Sequence, residues 1–124
     1  MAILREIVFD CQHPAALARF WAGVLEGYAV RPYDAAEIAR LASLGLTPET
    51  DPVVMVDGPG PHLCFQKGRP AGRRGPIHLD VAGGPLAGEV ARIEALGGLL
   101  AGHRDGYAVM TDPEGNRFCV QAPR

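Results

Sequence analysis

The sequence runs through one order of predicted elements twice, and this duplication constrains the fold more than any other feature. Each half predicts a strand, then an amphipathic helix, then three further strands. Short fragments match as well, since LCFQ at 63–66 is similar to FCVQ at 118–121. We therefore expect two similar modules in one pseudo-symmetric structure. The correspondence pairs chemically active side chains, Glu6 with His78 and Cys64 with Cys119.

Both predicted helices carry their apolar residues on a single face. In the first helix this face includes Phe20 and Trp21, so we interpret Trp21 as a core residue rather than a ligand-stacking one. Pro14 opens this helix, because proline is tolerated in a first turn. The second helix ends at Gly97-Gly98. Each helix therefore needs an apolar surface to cover, and the strands of its own half can supply one.

The last two strands show how the predicted sheets are divided. They lie within residues 107–121 and are joined by the turn Asp112-Pro113-Glu114-Gly115, whose residues suit a β-turn. In the final strand Phe118 and Val120 alternate with Arg117, Cys119 and Gln121. We expect the apolar side to pack against a helix and the polar side to line a cavity.

Length and charge exclude several classes of function. The chain has 124 residues, which suits a single domain. Its net charge of −2 predicts no attraction to nucleic acid or to an anionic membrane surface, and no apolar run is long enough to span a bilayer. The start lacks the features of a signal peptide. Three widely spaced cysteines predict reduced thiols and a cytoplasmic location.

Two segments interrupt the repeated order. Residues 34–51 form an excursion whose Asp34-Ala35-Ala36-Glu37 start predicts a capped helix. This helix is either a lid over a pocket or a cover that shields a sheet edge. Residues 69–75 are a linker rich in glycine, proline and arginine. Its arginines, Arg69, Arg73 and Arg74, are interpreted as a solvated loop in preference to an anion site.

Four stretches together resemble the vicinal oxygen chelate superfamily, which includes glyoxalases, bleomycin-resistance proteins and extradiol dioxygenases. They are PAALARFWAGVLEGY, IHLDV, EVARIEALGG and DPEGNRFCV. The resemblance covers essentially the whole chain and is closest to the glyoxalase-like domains. It implies an α+β fold in which two βαβββ modules form a curved, cup-shaped mixed sheet with helices on its outer face. Module 1 would span 1–68 and module 2 would span 76–124 of a single domain.

The same resemblance implies a small-molecule site inside the cup, often with a divalent metal. The strand alternation agrees, because it turns a set of polar residues away from the helices. The family's metal positions fall on Glu6, Cys64, His78 and Cys119, with Gln66 as an alternative second position. Zinc, nickel, manganese or iron is expected there, or no metal at all, because two cysteines are unusual in such a set. The remaining candidates for ligand binding are Asp10, Gln66, Asp80, Arg117 and Gln121.

Two functions remain open. The first is a glyoxalase-like enzyme, a lyase or isomerase that transfers a proton on a small oxygenated substrate, with Glu6 and His78 as ligand or base. The second is a metal-free protein of the bleomycin-resistance type that binds a drug or metabolite. The paired cysteines favour the second function, whereas Glu6 and His78 favour the first. The resemblance also implies a homodimer.

Overall fold

The computed structural model describes residues 1, 3–68 and 78–123. The predicted linker at 69–75, its three arginines and Ile77 lie outside these residues. Eleven elements follow in order: β1 (Glu6–Cys11), α1 (Pro14–Val24), β2 (Ala29–Val30), α2 (Ala35–Ser43), β3 (Val53–Asp57), β4 (His62–Lys67), β5 (Leu79–Ala82), α3 (Leu86–Ala95), β6 (Leu99–Arg104), β7 (Tyr107–Thr111) and β8 (Arg117–Gln121).

The chain divides into two compact units, unit 1 (Met1–Pro70) and unit 2 (Ala71–Arg124). Each unit holds one four-stranded mixed sheet, with the strand orders β1-β4-β3-β2 and β5-β8-β7-β6. In both sheets the first strand pairs in parallel with the last, and the other pairs are antiparallel. The predicted α+β class with two βαβββ modules is confirmed. A single domain over 1–124 stays a prediction.

In unit 1 the helix α1 packs on the sheet through its aromatic residues. Trp21 is 1% exposed, as predicted for a core residue, and its ring centroid lies 5.7 Å from that of Phe9. Phe9 also stacks on Phe65 at 4.8 Å. The second strand, β2, is short and covers only Ala29–Val30, with Arg31 N still donating to Met55 O at 2.9 Å. Pro32 explains this, because proline has no N–H to continue the ladder.

In unit 2 the helix α3 buries Val90 and Ile93, on the side of the sheet where Phe118 is also buried. The predicted turn between β7 and β8 forms, with Gly115 N donating to Asp112 O at 2.9 Å. Gly115 has a φ of +84°, a conformation that favours glycine. The two strands therefore keep the predicted alternation of faces.

None of the helices among the described residues combines the length and the apolar character needed to cross a membrane.

Candidate functional site

Each sheet has one face against its helix, and we call the opposite face the open face of that unit. Alternate strand residues are exposed or half-buried there. The open face of unit 1 comprises Glu6, Val8, Asp10, Val53, Met55, Asp57, His62, Cys64 and Gln66. The open face of unit 2 comprises Asp80, Ala82, Tyr107, Val109, Thr111, Arg117, Cys119 and Gln121, with His78 just before β5.

The strand register supports the correspondence between the two halves. Cys64 lies opposite Val8 in the parallel pair of unit 1, and Cys119 lies opposite Asp80 in the parallel pair of unit 2. The two cysteines therefore occupy equivalent positions. Glu6 and His78 each stand two residues before Val8 and Asp80, so they are equivalent as well.

On the open face of unit 1 an aspartate is shared by two basic side chains. Asp57 accepts hydrogen bonds from Arg31 Nε at 2.8 Å and from Arg31 Nη2 at 2.7 Å. His62 Nδ1 lies 2.9 Å from Asp57 Oδ1, a contact that brings the two side chains together without a hydrogen bond of good geometry at this nitrogen. The Arg31 hydrogen bonds, and to a lesser extent the charge of His62, hold the pKa of Asp57 below its usual value. Asp57 is therefore held in its ionised form, in contact with Arg31 next to β2 and with His62 at the start of β4.

Two further polar side chains of this face bind each other, and a third is buried. Gln66 Nε2 donates to Asp10 Oδ1 at 2.8 Å, so these two predicted ligand-binding residues are brought together. Cys64 is only 7% exposed, and burial together with the nearby charge of Glu6 raises the pKa of its thiol. A buried, protonated thiol behaves as a small apolar group. Unit 1 thus satisfies most of its own polar side chains.

Unit 2 brings three potential metal ligands together. His78 Nε2 lies 3.2 Å from Asp80 Oδ1, and the two side chains are 58% and 55% exposed. One ligand atom from each of His78, Asp80 and Cys119 can be chosen so that all three lie within 4.8 Å of one another. Partial burial, and then the charge of Asp80, raise the pKa of the Cys119 thiol. Across the described residues, no other three His, Cys, Asp or Glu side chains converge in this way.

This donor set fits a zinc-type ion. Imidazole nitrogen, carboxylate oxygen and thiolate sulfur are all established zinc ligands. Three protein ligands are also the number found in catalytic zinc sites, where a fourth position stays open for water or substrate. Because the thiol must lose its proton to bind a metal, the cluster would bind more tightly as the pH rises.

The structure distributes the predicted site residues between the two units. His78, Asp80 and Cys119 form the cluster in unit 2, and Gln121 and the exposed Arg117 share its open face. The other four, Glu6, Asp10, Cys64 and Gln66, lie in unit 1. Their predicted catalytic, ligand-binding and metal-binding roles stay predictions.

A cavity of about 730 Å³ lies beside α2 in unit 1, and we call it the α2 cavity. The helix begins where the sequence predicts, with Asp34 Oδ1 accepting from Glu37 N at 2.8 Å. One face of α2 forms a wall of the cavity, while Leu41 is 1% exposed and fixes the helix in place. The lining residues are Arg31, Pro32, Tyr33, Asp34, Ala36, Glu37, Arg40, Leu41, Leu44, Leu46, Asp51, Pro52, Val53 and Met55.

Sequence reasoning missed the polar residues of this cavity. Tyr33 donates its hydroxyl proton to Asp51 Oδ2 at 2.8 Å, and Asp51 Oδ1 accepts from Val53 N at 3.0 Å. Burial and the hydrogen bond to Asp51 raise the pKa of Tyr33, so this donor keeps its proton. No local sequence pattern indicates the pair of Tyr33 and Asp51, which are 18 positions apart in the chain.

Comparison with protein families gives one match, to the family described as "Glyoxalase-like domain", over residues 6–121. No curated protein matches the sequence.

Several solved structures have the same fold. The fosfomycin resistance protein FosX from Mesorhizobium loti gives a TM-score of 0.70 at 12% identity, covering 100% of this chain and 94% of that chain. A glyoxalase/bleomycin resistance protein/dioxygenase family enzyme from Burkholderia phytofirmans PsJN gives 0.67 at 15% identity, covering 96% and 97%. The E126Q mutant of FosX from Listeria monocytogenes, complexed with Mn(II) and 1S,2S-dihydroxypropylphosphonic acid, gives 0.64 at 11% identity, covering 99% and 90%.

Proposed function

Because this chain belongs to the glyoxalase-like domain family of the vicinal oxygen chelate superfamily, we propose that it is a metal-assisted enzyme acting on a small oxygenated organic molecule. The single observation that carries this proposal is the convergence of His78, Asp80 and Cys119 in unit 2. The reaction class is proton transfer or isomerisation, as in a lyase or isomerase of the glyoxalase type. Fold alone does not fix activity, so the proposal depends on these side chains.

The metal would be held by one imidazole, one carboxylate and one thiolate. When bound, a divalent ion polarises a carbonyl or hydroxyl oxygen of the substrate. The thiolate favours zinc over manganese, nickel or iron, because manganese in particular prefers oxygen ligands. The structurally similar FosX mutant from Listeria monocytogenes was crystallised with Mn(II), and a cysteine in the set is consistent with a different ion here.

The other residues of unit 2 have roles of orientation and binding in this proposal. Asp80 lies close enough to His78 to fix its imidazole ring when no metal is present. Arg117 offers a guanidinium on the same open face, where it would bind an anionic oxygen of the substrate, and Gln121 would add a hydrogen bond. The sequence also predicts Glu6 or His78 as ligand or base, and Glu6 and Cys64 as further metal ligands. The three-residue cluster of unit 2 does not require these roles of Glu6 and Cys64.

Zinc titration of metal-depleted protein tests the proposal. We expect zinc to raise the Tm of the wild type and to give a stoichiometry of one per chain by calorimetry, because a ligand that binds only the folded state stabilises it. The variant His78→Ala should lose this response. His103→Ala is the matched control, since His103 is an exposed histidine of β6 outside the cluster.

Two outcomes of this titration are decisive. If none of zinc, nickel, manganese and iron shifts the Tm of the wild type, the proposal of a metal-assisted enzyme is rejected. A loss of the response in Glu6→Ala, alongside His78→Ala, would support the predicted role of Glu6 as a ligand.

A second candidate function is metal-free binding of a small molecule, as in bleomycin-resistance proteins. The α2 cavity favours it, because its volume of about 730 Å³ falls in the range typical of small-molecule sites. The state of Cys64 favours this function too, because its thiol is buried and its pKa is raised. A metal binds only the deprotonated thiol, and metal binding is the only role that the first function gives to Cys64. Ligand binding that persists in the presence of a chelator would separate this function from the first.

We also propose a cytoplasmic homodimer. The location is supported by three free cysteines, Cys11, Cys64 and Cys119. The dimer is supported by the family resemblance. Gel filtration with light scattering tests the dimer, and a monomer at micromolar concentration would reject it.

A further inference from the structure

We propose that the α2 cavity is a binding site for a small organic acid, a molecule with an apolar body and one carboxylate or similar anionic group. This inference rests on the second candidate function, metal-free small-molecule binding, and gives its ligand a chemical class. It does not require a metal in unit 2.

The walls of the cavity are suited to an apolar body. Eight of its lining residues are apolar: Pro32, Ala36, Leu41, Leu44, Leu46, Pro52, Val53 and Met55. Two of these remain well exposed, Leu44 at 62% and Val53 at 47%, so a ligand could still remove apolar surface from water. The ring of Tyr33 adds an aromatic surface.

The hydrogen bonds of the cavity decide the polar part of the ligand, beginning with its acids. Both oxygens of Asp51 are used, by Tyr33 and by Val53 N. Both oxygens of Glu37 accept from Arg40, Oε1 from Nη2 at 2.6 Å and Oε2 from Nε at 3.2 Å. Asp34 uses one oxygen to cap α2. Every carboxylate oxygen of the lining except Asp34 Oδ2 thus already accepts one hydrogen bond.

The donors of the lining are not exhausted in the same way. Arg31 gives Nε and Nη2 to Asp57, and Arg40 gives Nε and Nη2 to Glu37. Each guanidinium keeps its Nη1 group without a hydrogen-bond partner among the residues that the structure describes. A guanidinium has five N–H donors and can bind a second oxyanion. The side-chain atoms of the lining that have no partner in the described part of the chain are thus mainly cationic N–H donors, which match the oxygens of an acid.

Formal charge alone does not identify this ligand, because Asp34, Glu37 and Asp51 outnumber Arg31 and Arg40 in the lining. An organic cation would suit that sum, yet Asp34 Oδ2 is the one carboxylate oxygen of the lining without a partner among the described residues. Water and salt also screen the repulsion that a ligand carboxylate meets from the exposed Asp34 and the half-buried Glu37. Two guanidinium Nη1 groups without a partner in the described ranges, against one such carboxylate oxygen, therefore favour the acid over the cation.

Three probes with one naphthalene body distinguish the ligand classes. 1-Naphthoate, 1-naphthalenemethanol and 1-naphthylmethylammonium are titrated into the full chain in the presence of EDTA, and binding is followed by naphthalene fluorescence and calorimetry. We expect naphthoate to bind about tenfold more tightly than the other two, the difference made by one charge-assisted hydrogen bond.

Variants assign the binding to the cavity. Arg40→Gln should weaken naphthoate about tenfold and leave the alcohol unchanged, whereas Leu44→Gln should weaken all three probes. Both sites are exposed, and an unchanged Tm checks the fold. Arg19→Gln is the matched control, because Arg19 forms a similar exposed pair with Glu49 at 2.7 Å and does not line the cavity. Naphthoate affinity in this variant should equal that of the wild type.

The outcomes separate this inference from the function beneath it. Equal affinity for the three probes, a preference for the ammonium, or an unaltered naphthoate affinity in Arg40→Gln would overturn the organic-acid assignment. Binding of the alcohol would then still support a small-molecule binding protein. If no probe binds, the cavity assignment fails together with the second candidate function, whereas the zinc titration is unaffected.

Discussion

The two units share a strand order but use their open faces in opposite ways. In unit 1 the polar side chains bind one another, as in the pairs Arg31–Asp57 and Asp10–Gln66. In unit 2, His78, Asp80 and Cys119 converge instead. The equivalent cysteines make the contrast plain, since Cys64 is buried and Cys119 is half-buried.

This difference teaches which part of a duplicated sheet is free to change. The residues facing each helix are held by packing, because deleting buried apolar atoms costs several kcal/mol. The open face carries no such constraint, and in this chain one unit places three side chains of metal-binding type there while the other pairs polar side chains with one another. We expect the following differences and similarities between the two units, beginning with the largest effect.

The helix-facing cores should be equally important in both units. Phe65 in unit 1 is 0% exposed and Phe118 in unit 2 is 1% exposed. We expect Phe65→Ala and Phe118→Ala each to lower the free energy of unfolding by about 3–5 kcal/mol, measured by urea denaturation. Gln66→Ala, beside Phe65 but exposed, should change it by less than about 1 kcal/mol. A large effect in only one unit would contradict the shared packing.

The two buried aspartates should differ in proportion to the hydrogen bonds they accept. Asp112 is 1% exposed and accepts from Glu114 N, Asn116 N and Asn116 Nδ2. Asp51 is 6% exposed and accepts from two donors. We expect Asp112→Ala to cost about 2–3 kcal/mol of unfolding free energy and Asp51→Ala about 1–2 kcal/mol, because buried donors lose their partners. If Asp51→Ala costs more unfolding free energy than Asp112→Ala, the number of accepted hydrogen bonds does not determine the cost.

Zinc affinity should depend on pH through the cysteine of unit 2. The pKa of the Cys119 thiol is raised, so below that pKa zinc must displace its proton. We expect zinc to bind up to about tenfold more tightly for each unit of pH increase, as measured by calorimetry between pH 6 and 8. Cys119→Ser should weaken binding and flatten this dependence.

The corresponding change in unit 1 sharpens the comparison. Cys64→Ser should leave zinc affinity unchanged if the cluster of unit 2 is sufficient. If this variant lowers zinc affinity as much as Cys119→Ser, the sequence-based ligand set that includes Cys64 is the better one.

The smallest effect is expected at the ion pair of unit 1. The pKa of Asp57 is lowered in the folded state, so its stabilisation is present above its ordinary pKa, near pH 4, and is lost as the pH falls through the lowered value. Asp57→Asn should therefore reduce the unfolding free energy at pH 7 by less than about 1 kcal/mol, because the pair is partly exposed. The difference from wild type should disappear in acid, as followed by urea denaturation at pH 7 and pH 3. Asp80→Asn serves as the comparison in unit 2 and should change stability by less than about 0.5 kcal/mol at pH 7.

Local patterns were sufficient to predict most elements. Helix α2 begins after its predicted cap at Asp34, and the Asp112–Gly115 turn forms as expected. These features depend on capping and on turn chemistry, which act over a few residues. The equivalence of Glu6 with His78 also followed from element order, and the strand register supports it.

The residues that make up the candidate sites were harder to predict, because these residues are brought together by contacts between distant parts of the sequence. Arg31 and Asp57 are separated by 26 positions, and nothing near either residue indicates the pair. Asp80 shares a strand face with His78 by alternation, but its position opposite Cys119 depends on the register of β5 and β8. The α2 cavity likewise requires the placement of a helix against β3, which a capping pattern does not supply.

The parallel pairing of the first and last strands has a consequence for synthesis. β1 has β4 as its only strand neighbour within its sheet, and Asp10 meets Gln66 across 56 positions of chain. During translation β1 must therefore wait, unpaired, until nearly the whole of its module has left the ribosome. Because contacts between residues far apart in sequence slow folding, we expect each unit to complete its folding only after its last strand has been synthesised.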